Sequence, residues 1–313
     1  MGAKSLSSRA IIGEYYNTLQ QDLGSSWIDS LSNYFESNQE SETYAWLGMS
    51  PVMREWIGGR QAKGLREGGL TIRNKKFEAT LEVLVDEIRR DKTGQVMLRV
   101  RELAQRTNSH WAKLLSELIL KGESSVCYDG QYFFDTDHQE GDSGQQSNIV
   151  SVDVTTPAAP SAGEMETAIL RAIEQIVGLK DDTGEPANEN ARQFQVMVPV
   201  KFMSVAAAAL GSQIIVDSST SRSNGIITLG QIGGFATSLT VNARLNWADK
   251  FAVFRTDGET RALIRQEEEK VTMAAIAEGS ELEFKEDKHE YGVKAIRNVG
   301  YGYWQRAVLA KLV

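Results

Sequence analysis

Cysteine is almost absent from this 313-residue chain. Cys127 stands alone, so no disulfide can form within one copy and a reducing compartment suits the composition. Proline is scarce, with five residues, and aromatic residues make up 8%. No apolar run reaches the roughly 20 residues that a membrane-spanning helix needs. The opening MGAKSLSSRAIIGEYY has no apolar core of signal-peptide length. There is no excess of positive charge: 34 Lys and Arg stand against 42 Asp and Glu, a net charge of −8. A whole-chain basic field for nucleic acid is therefore excluded, while a local patch is not. What the chain does have is 41% hydrophobic residues, enough to exclude a disordered chain and to bury one large core or two ordinary ones. These features point to a soluble cytosolic protein without a membrane partner.

Periodicity sets out the elements. Ile11, Tyr15 and Leu19 recur at helical spacing, predicting a helix over 6–22 that Gly24 stops. Residues 25–50 are polar and Ser-rich and read as an extended arm. Over 58–69, GGRQAKGLREGG holds five glycines, poor material for a packed core. Between Arg54 and Lys76 seven basic residues (Arg54, Arg60, Lys63, Arg66, Arg73, Lys75, Lys76) face two acids, and from Glu78 to Glu87 the sign reverses. The flank TIRNKKFEATLEVLV alternates as strands do. Together these read as a long, mobile, basic β-hairpin projecting from the body. Val96, Val100, Leu103, Trp111, Leu114 and Leu118 predict one helix over 95–121, capped by Thr93 and stopped by Gly122. At 1.5 Å per residue it would run about 40 Å, a structural spine. TTPAAPSAG (155–163) is a linker by composition, and a second amphipathic helix follows over 164–177. FQVMVPV reads as a buried strand and KFMSVAAAAL as a small-residue helix. QIIVD, GIITL, FAVFR, RALIRQ and YWQRAVLAKL read as strands.

Chemistry concentrates in FFDTDHQEGDSGQQSN (133–148). Tested as a calcium loop from Asp135, it has Asp137 at position 3. Gln139, Glu140 and Gln146 then stand where an acid, a glycine and a glutamate are needed. A zinc site wants more soft or imidazole ligands than Cys127 and His138 supply, so no metal and no cofactor are expected. Gly141-Asp142-Ser143-Gly144 resembles the nucleophile segment of a serine protease, and a hydrolase would use Ser143 with His138 and an acid such as Asp129. The histidines sit in no matching context, and Gly, Asp and Ser are ordinary turn residues. Gly59 to Arg66 has P-loop spacing but lacks the Lys-Ser/Thr that should follow the second glycine. A nucleic-acid module built on the basic hairpin is the third possibility, with only Trp56 and Phe77 as aromatic partners. A basic hairpin beside an acidic stem suits the same surface on a neighbouring copy, a heterologous contact that closes into rings or shells.

Three strings carry a family resemblance. TYAWLGMSPVMREWIGGR (43–60), NKKFEATLEVLVDEIRRDKTG (74–94) and YDGQYFFDTDH (128–138) resemble, in that order, the major head subunit of Mu-like phages. The similarity extends to YGYWQRAVLA near residue 310 and is looser over 180–290. The resemblance implies an α+β chain with the tailed-phage and herpesvirus major capsid fold: N-terminal arm (1–54), extended hairpin loop (55–82), peripheral domain with a long spine helix (83–160 and 245–292) and axial domain (161–244 and 293–313). It implies a structural protein, not an enzyme, that self-assembles as hexamers and pentamers into an icosahedral head enclosing DNA, formed in the host cytoplasm and retained in the virion. Arg60, Lys63, Arg66, Arg73, Lys75 and Lys76 become inter-subunit contacts. Asp129, Gly130, Phe133, Phe134 and His138 become a peripheral-domain loop of turn and hydrogen-bonding residues. A separate scaffold protein is expected, because no acidic or coiled-coil extension precedes the arm helix. A head protease, a portal and weak, unspecific contact with packaged DNA complete the expected partners.

Overall fold

The computed structural model describes residues 7–21, 27–44, 69–91, 94–217 and 220–313. In chain order, helix α1 (Ser8–Leu19) leads to the short α2 (Trp27–Leu31), β1 (Ser32–Glu36) and β2 (Ser41–Tyr44). Then come β3 (Leu70–Arg73), β4 (Lys75–Leu84), α3 (Val85–Arg90), α4 (Gln95–Asn108) and α5 (His110–Leu120). A loop region holds β5 (His138–Gln139) and β6 (Gln145–Gln146) before β7 (Ile149–Val152), α6 (Ala162–Gly178), β8 (Gln193–Val198) and α7 (Met203–Gly211). The remainder is β9 (Ile214–Asp217), β10 (Thr220–Ser223), α8 (Gly225–Gly233), β11 (Ala236–Val241), β12 (Lys250–Arg255), β13 (Leu263–Ile276), α9 (Glu281–Glu286), β14 (Lys288–Tyr301) and β15 (Ala307–Leu312).

Two sheets organise these elements. One is four-stranded, ordered β1-β13-β14-β4, and is built on the long antiparallel pair β13–β14. Helices α1 and α4 cover it, because the helical spacing of Ile11 and Tyr15 and of Val96, Val100 and Ala104 turns those side chains onto Val83, Tyr291 and Val293. Ser8 Oγ and Tyr291 Oη, 2.9 Å apart, tie the start of α1 to the sheet. The other sheet is five-stranded, ordered β11-β8-β12-β15-β7. Its three central strands, β8, β12 and β15, read as near-continuous apolar runs because both faces are covered, and β8 is buried at every position after Gln193. Helix α6 packs across it through Met165, Ile169, Ile173 and Ile176. Helix α6 starts two residues before the expected 164. Ser161 accepts from the Glu164 N–H, and Glu164 accepts from the Ser161 N–H, a complete capping box.

Several expectations need correction. Residues 27–44 are not an extended arm: β1 adds in parallel to β13, and β2 pairs with β3. Strands β2 and β3 pair with each other on either side of residues 45–68. The expected hairpin residues Arg60, Lys63 and Arg66 lie outside the described residues, as does Thr93. The start of α4 is capped instead by the Asp91 carboxylate, which accepts from the N–H groups of Gln95 and Val96. The spine is two helices rather than one. It breaks at Ser109, where Thr107 and Ser109 hydroxyls donate back to the Leu103 and Arg106 carbonyls and Asn108 donates to the Leu19 carbonyl. Such back-bonding bends helices. GIITL is the start of α8, not a strand, because the Asn224 side chain accepts from the Ile226 and Ile227 N–H groups as an N-cap. Finally, β12 lies between β8 and β15 in the five-stranded sheet, and β14 continues past residue 293 within the four-stranded one. The boundaries at 244/245 and 292/293 therefore do not follow the sheets.

The sheets meet where β14 gives way to β15. The Gly302 N–H donates to the Ala262 carbonyl, and a Cβ at Gly302 would stand 2.5 Å from the Arg261 carbonyl oxygen. Glycine is therefore required there for the backbones to approach.

Candidate functional site

The loop region after α5 fills the junction between the sheets. Phe133 and Phe134, adjacent and both buried, are in edge contact with each other, and Phe133 stacks on Tyr301 with ring centroids 4.5 Å apart. Buried Asn148 closes the loop, donating to the Phe133 carbonyl at 2.7 Å and accepting from the Asp135 N–H at 2.9 Å. Behind these rings lies a polar cluster. Residues 126–132 form a tight turn: the Cys127 N–H donates to the Gln131 carbonyl, the Gly130 N–H donates to the Cys127 carbonyl, and Gly130 has φ +93°. The turn sets Cys127 and Asp129 side by side, and β5 brings His138 to them. His138 Nδ1 lies 2.6 Å from Asp129 Oδ2, and the Cys127 thiol donates to Asp129 Oδ1 at 2.9 Å. Both side chains of the His138–Asp129 pair are wholly buried. Trp304 stacks flat on the imidazole at 4.0 Å.

Burial pushes the Asp129 carboxyl up, but hydrogen bonds from His138 and Cys127 outweigh it and hold the group below the usual carboxylate range. Burial and then the Asp129 charge push the Cys127 thiol far up, which leaves it protonated and unreactive as a nucleophile. Beside the cluster, the Tyr128 hydroxyl bridges Glu140 and Gln305. The sequence reading placed Asp129, Gly130, Phe133, Phe134 and His138 in one loop, and the structure brings them together. It missed Tyr128, Glu140, Asn148, Trp304 and Gln305, which are recognisable only once β15 is known to return beside β7.

Gly141-Asp142-Ser143-Gly144 is the tip of the β5–β6 hairpin. Gly141 and Gly144 both take positive φ, +53° and +70°. The Ser143 hydroxyl accepts from the Glu140 N–H and donates to the Gly144 carbonyl. Those are the bonds of a turn; His138 Nδ1 faces Asp129, and His138 Nε2 has no hydrogen-bond partner. The tip docks on the 180–186 loop, where the Asp142 N–H donates to the Asp182 carbonyl and Gln146 exchanges bonds with the Lys180 backbone.

Among the described basic residues of the expected hairpin, Arg73 pairs with Glu40, while Lys75 and Lys76 open β4 with exposed side chains. A second surface escaped the sequence reading. Val200, Met203, Ile214, Val216, Ile232 and Val241 are exposed large hydrophobics falling between residues 200 and 241, with Val216 at 71% and Ile232 at 84% exposure. They are spread over α7 and the turn leading into it, the β9–β10 pair, α8 and the edge strand β11. No helix among the described residues is long and apolar enough to cross a membrane.

Comparison with known proteins places this geometry. The model of the family described as Mu-like prophage major head subunit gpT matches residues 8–160 and 237–312, more than half of the chain. The chain is 35% identical over 122 residues to the Mu-like prophage FluMu major head subunit of Haemophilus influenzae, covering 39% of this chain and 40% of that protein. It is 31% identical over 135 residues to the major capsid protein of Escherichia phage Mu, covering 41% and 44%. The aligned regions thus span less than half of either relative. Among solved structures, a chain from the procapsid of bacteriophage JBD30 is similar over 97% of this chain and 73% of its own length, with a TM-score of 0.55 at 22% identity. The fold is that of a tailed-phage major capsid protein.

Proposed function

We propose, from the premise that the chain belongs to the Mu-like prophage major head subunit gpT family, that it is the repeating building block of an icosahedral phage head and assembles as hexamers and pentamers around DNA. The observation that supports this most is joint: the family match covers residues 8–160 and 237–312, and the backbone likeness to a procapsid chain covers 97% of the chain. In this reading the five-stranded sheet with α6, α7 and α8 is the axial part, and the four-stranded sheet with α1 and α4 is the peripheral part. The exposed hydrophobics between 200 and 241 face neighbours within a capsomer. The segment carried on the β2–β3 stem, with Arg60, Lys63, Arg66 and Arg73, reaches an adjacent copy, and Lys75 and Lys76 extend that basic surface along β4. Stable interfaces of this kind bury upward of roughly 1,200 Å² each. A scaffold protein, a head protease and a portal are the partners such a subunit requires. With a net charge of −8, contact with packaged DNA is weak and independent of sequence. The protein acts in the virion and performs no catalysis.

Electron microscopy and sedimentation velocity of the full chain, co-expressed with its scaffold, test the reading. Capsomers or closed shells are the expected result. A compact monomer at every concentration and salt, with no particle formed, would falsify it. Charge reversal at Arg60, Lys63 and Arg66 lowers particle yield if the projecting segment bridges copies.

A further inference from the structure

We propose that Cys127, Asp129 and His138 form a three-ligand binding site for a thiophilic divalent cation of the zinc class, independent of how the subunit assembles. Sequence alone gave two candidate ligands; the fold adds the third and brings one ligand atom of each within 4.8 Å of the others. Sulfur, imidazole nitrogen and carboxylate oxygen are the donor set that zinc takes. Around a tetrahedral zinc ion such atoms stand about 3.2–3.8 Å apart, given bond lengths of about 2.0–2.3 Å. The thiol–carboxylate and imidazole–carboxylate separations of 2.9 and 2.6 Å are shorter. The ion therefore takes the place of the protons now shared between the three groups, with small outward shifts of the side chains.

Charge balance favours this exchange. Asp129 is a carboxylate with no exposed side-chain surface, and a buried anion needs a compensating cation. A divalent ion held by one thiolate, one carboxylate and one neutral imidazole makes the buried cluster neutral. Loading releases the thiol proton to solvent and leaves the imidazole proton on Nε2. Nε2 has no hydrogen-bond partner, so its N–H is then buried and unpaired, a cost that the three metal–ligand bonds have to exceed. The remaining construction is that of a fixed site. Cys127 and Asp129 come from one closed turn and His138 from a neighbouring strand. The Gln131 N–H holds Asp129 Oδ1 at 3.1 Å, and Trp304 clamps the imidazole plane. Val126 and Tyr132, at the two ends of the turn, are exposed.

The test is metal analysis of the full chain after zinc loading and desalting, together with cobalt substitution. About one zinc per chain is expected. The cobalt form should show a thiolate-to-metal charge-transfer band that disappears in Cys127→Ser while the circular dichroism spectrum stays unchanged. Wild-type protein that keeps no zinc overturns the proposal. So does a cobalt form without the thiolate band, or a folded Cys127→Ser protein that retains as much metal as wild type. If Cys127→Ser fails to fold, the wild-type cobalt spectrum decides alone, since only Cys127 can supply a thiolate.

Discussion

Gly141 stands where two constraints coincide. Its φ is +53°, and a Cβ there would lie 2.3 Å from the Asp182 carbonyl oxygen. The backbone, not a flexible side chain, is what it would strike. Gly141→Ala is therefore expected to lower unfolding free energy by about 1–3 kcal/mol and to detach the hairpin tip from the 180–186 loop. Urea denaturation reads the first effect and protease cleavage between 139 and 146 the second; a neutral substitution would contradict the docking. His110 offers a pH test. Burial, then the charges of Arg297 and Lys113, lower its pKa from 6.5 to about 4. The unfolded chain takes up a proton in that window that the folded chain refuses. The contribution of His110 to stability is thus complete above pH 6.5 and is lost as pH falls toward 4. His110→Gln keeps an acceptor for the Arg297 Nε–H, now 3.1 Å from His110 Nδ1. It should flatten the decline of the denaturation midpoint between those values, and an unchanged slope would contradict the assignment.

Elements differ in how openly the sequence declares them. Helix α6 was legible from the helical spacing of Met165, Ile169, Ile173 and Ile176, and its capping box, Ser161 with Glu164, starts it two residues before the expected 164. Ser161→Ala should cost about 1 kcal/mol, read as a lower denaturation midpoint with the same slope against denaturant. Helix α8 was misread for the opposite reason. GIITL is a short apolar run without a distinguishing period, and the deciding group, the Asn224 side chain, lies just outside it. The break at Ser109 hid behind an apolar spacing that runs from Val96 to Leu118 across both helices. The hydroxyl back-bonds at that break leave no mark on hydrophobic periodicity. The polar cluster was half visible: Cys127 and Asp129 are two residues apart, but the approach of His138 depends on the β5–β6 hairpin, and the stacking of Trp304 depends on a contact 166 residues away in sequence.

At the scale of the whole molecule, sheet order is what a single sequence conceals. The pairings β1–β13, β4–β14 and β7–β15 join segments separated by half of the chain or more, and helical or alternating patterns report only which face is apolar. The same holds for exposed apolar side chains. Ile214 and Val216 read as ordinary strand residues, yet one chain leaves them exposed. The double substitution Ile214→Asp and Val216→Asp should leave the isolated subunit's stability within about 0.5 kcal/mol while sharply reducing particle yield in negative-stain micrographs. Full yield would show that this surface is not buried on assembly.

The position of β15 also governs the birth of the molecule. Strand β7 joins its sheet only through β15, so a nascent chain halted before residue 307 holds an incomplete barrier between its apolar interior and water. Until residues 307–312 are in place, the edges of β7 and β12 that face β15 lack their hydrogen-bond partners and are open to pairing with another chain.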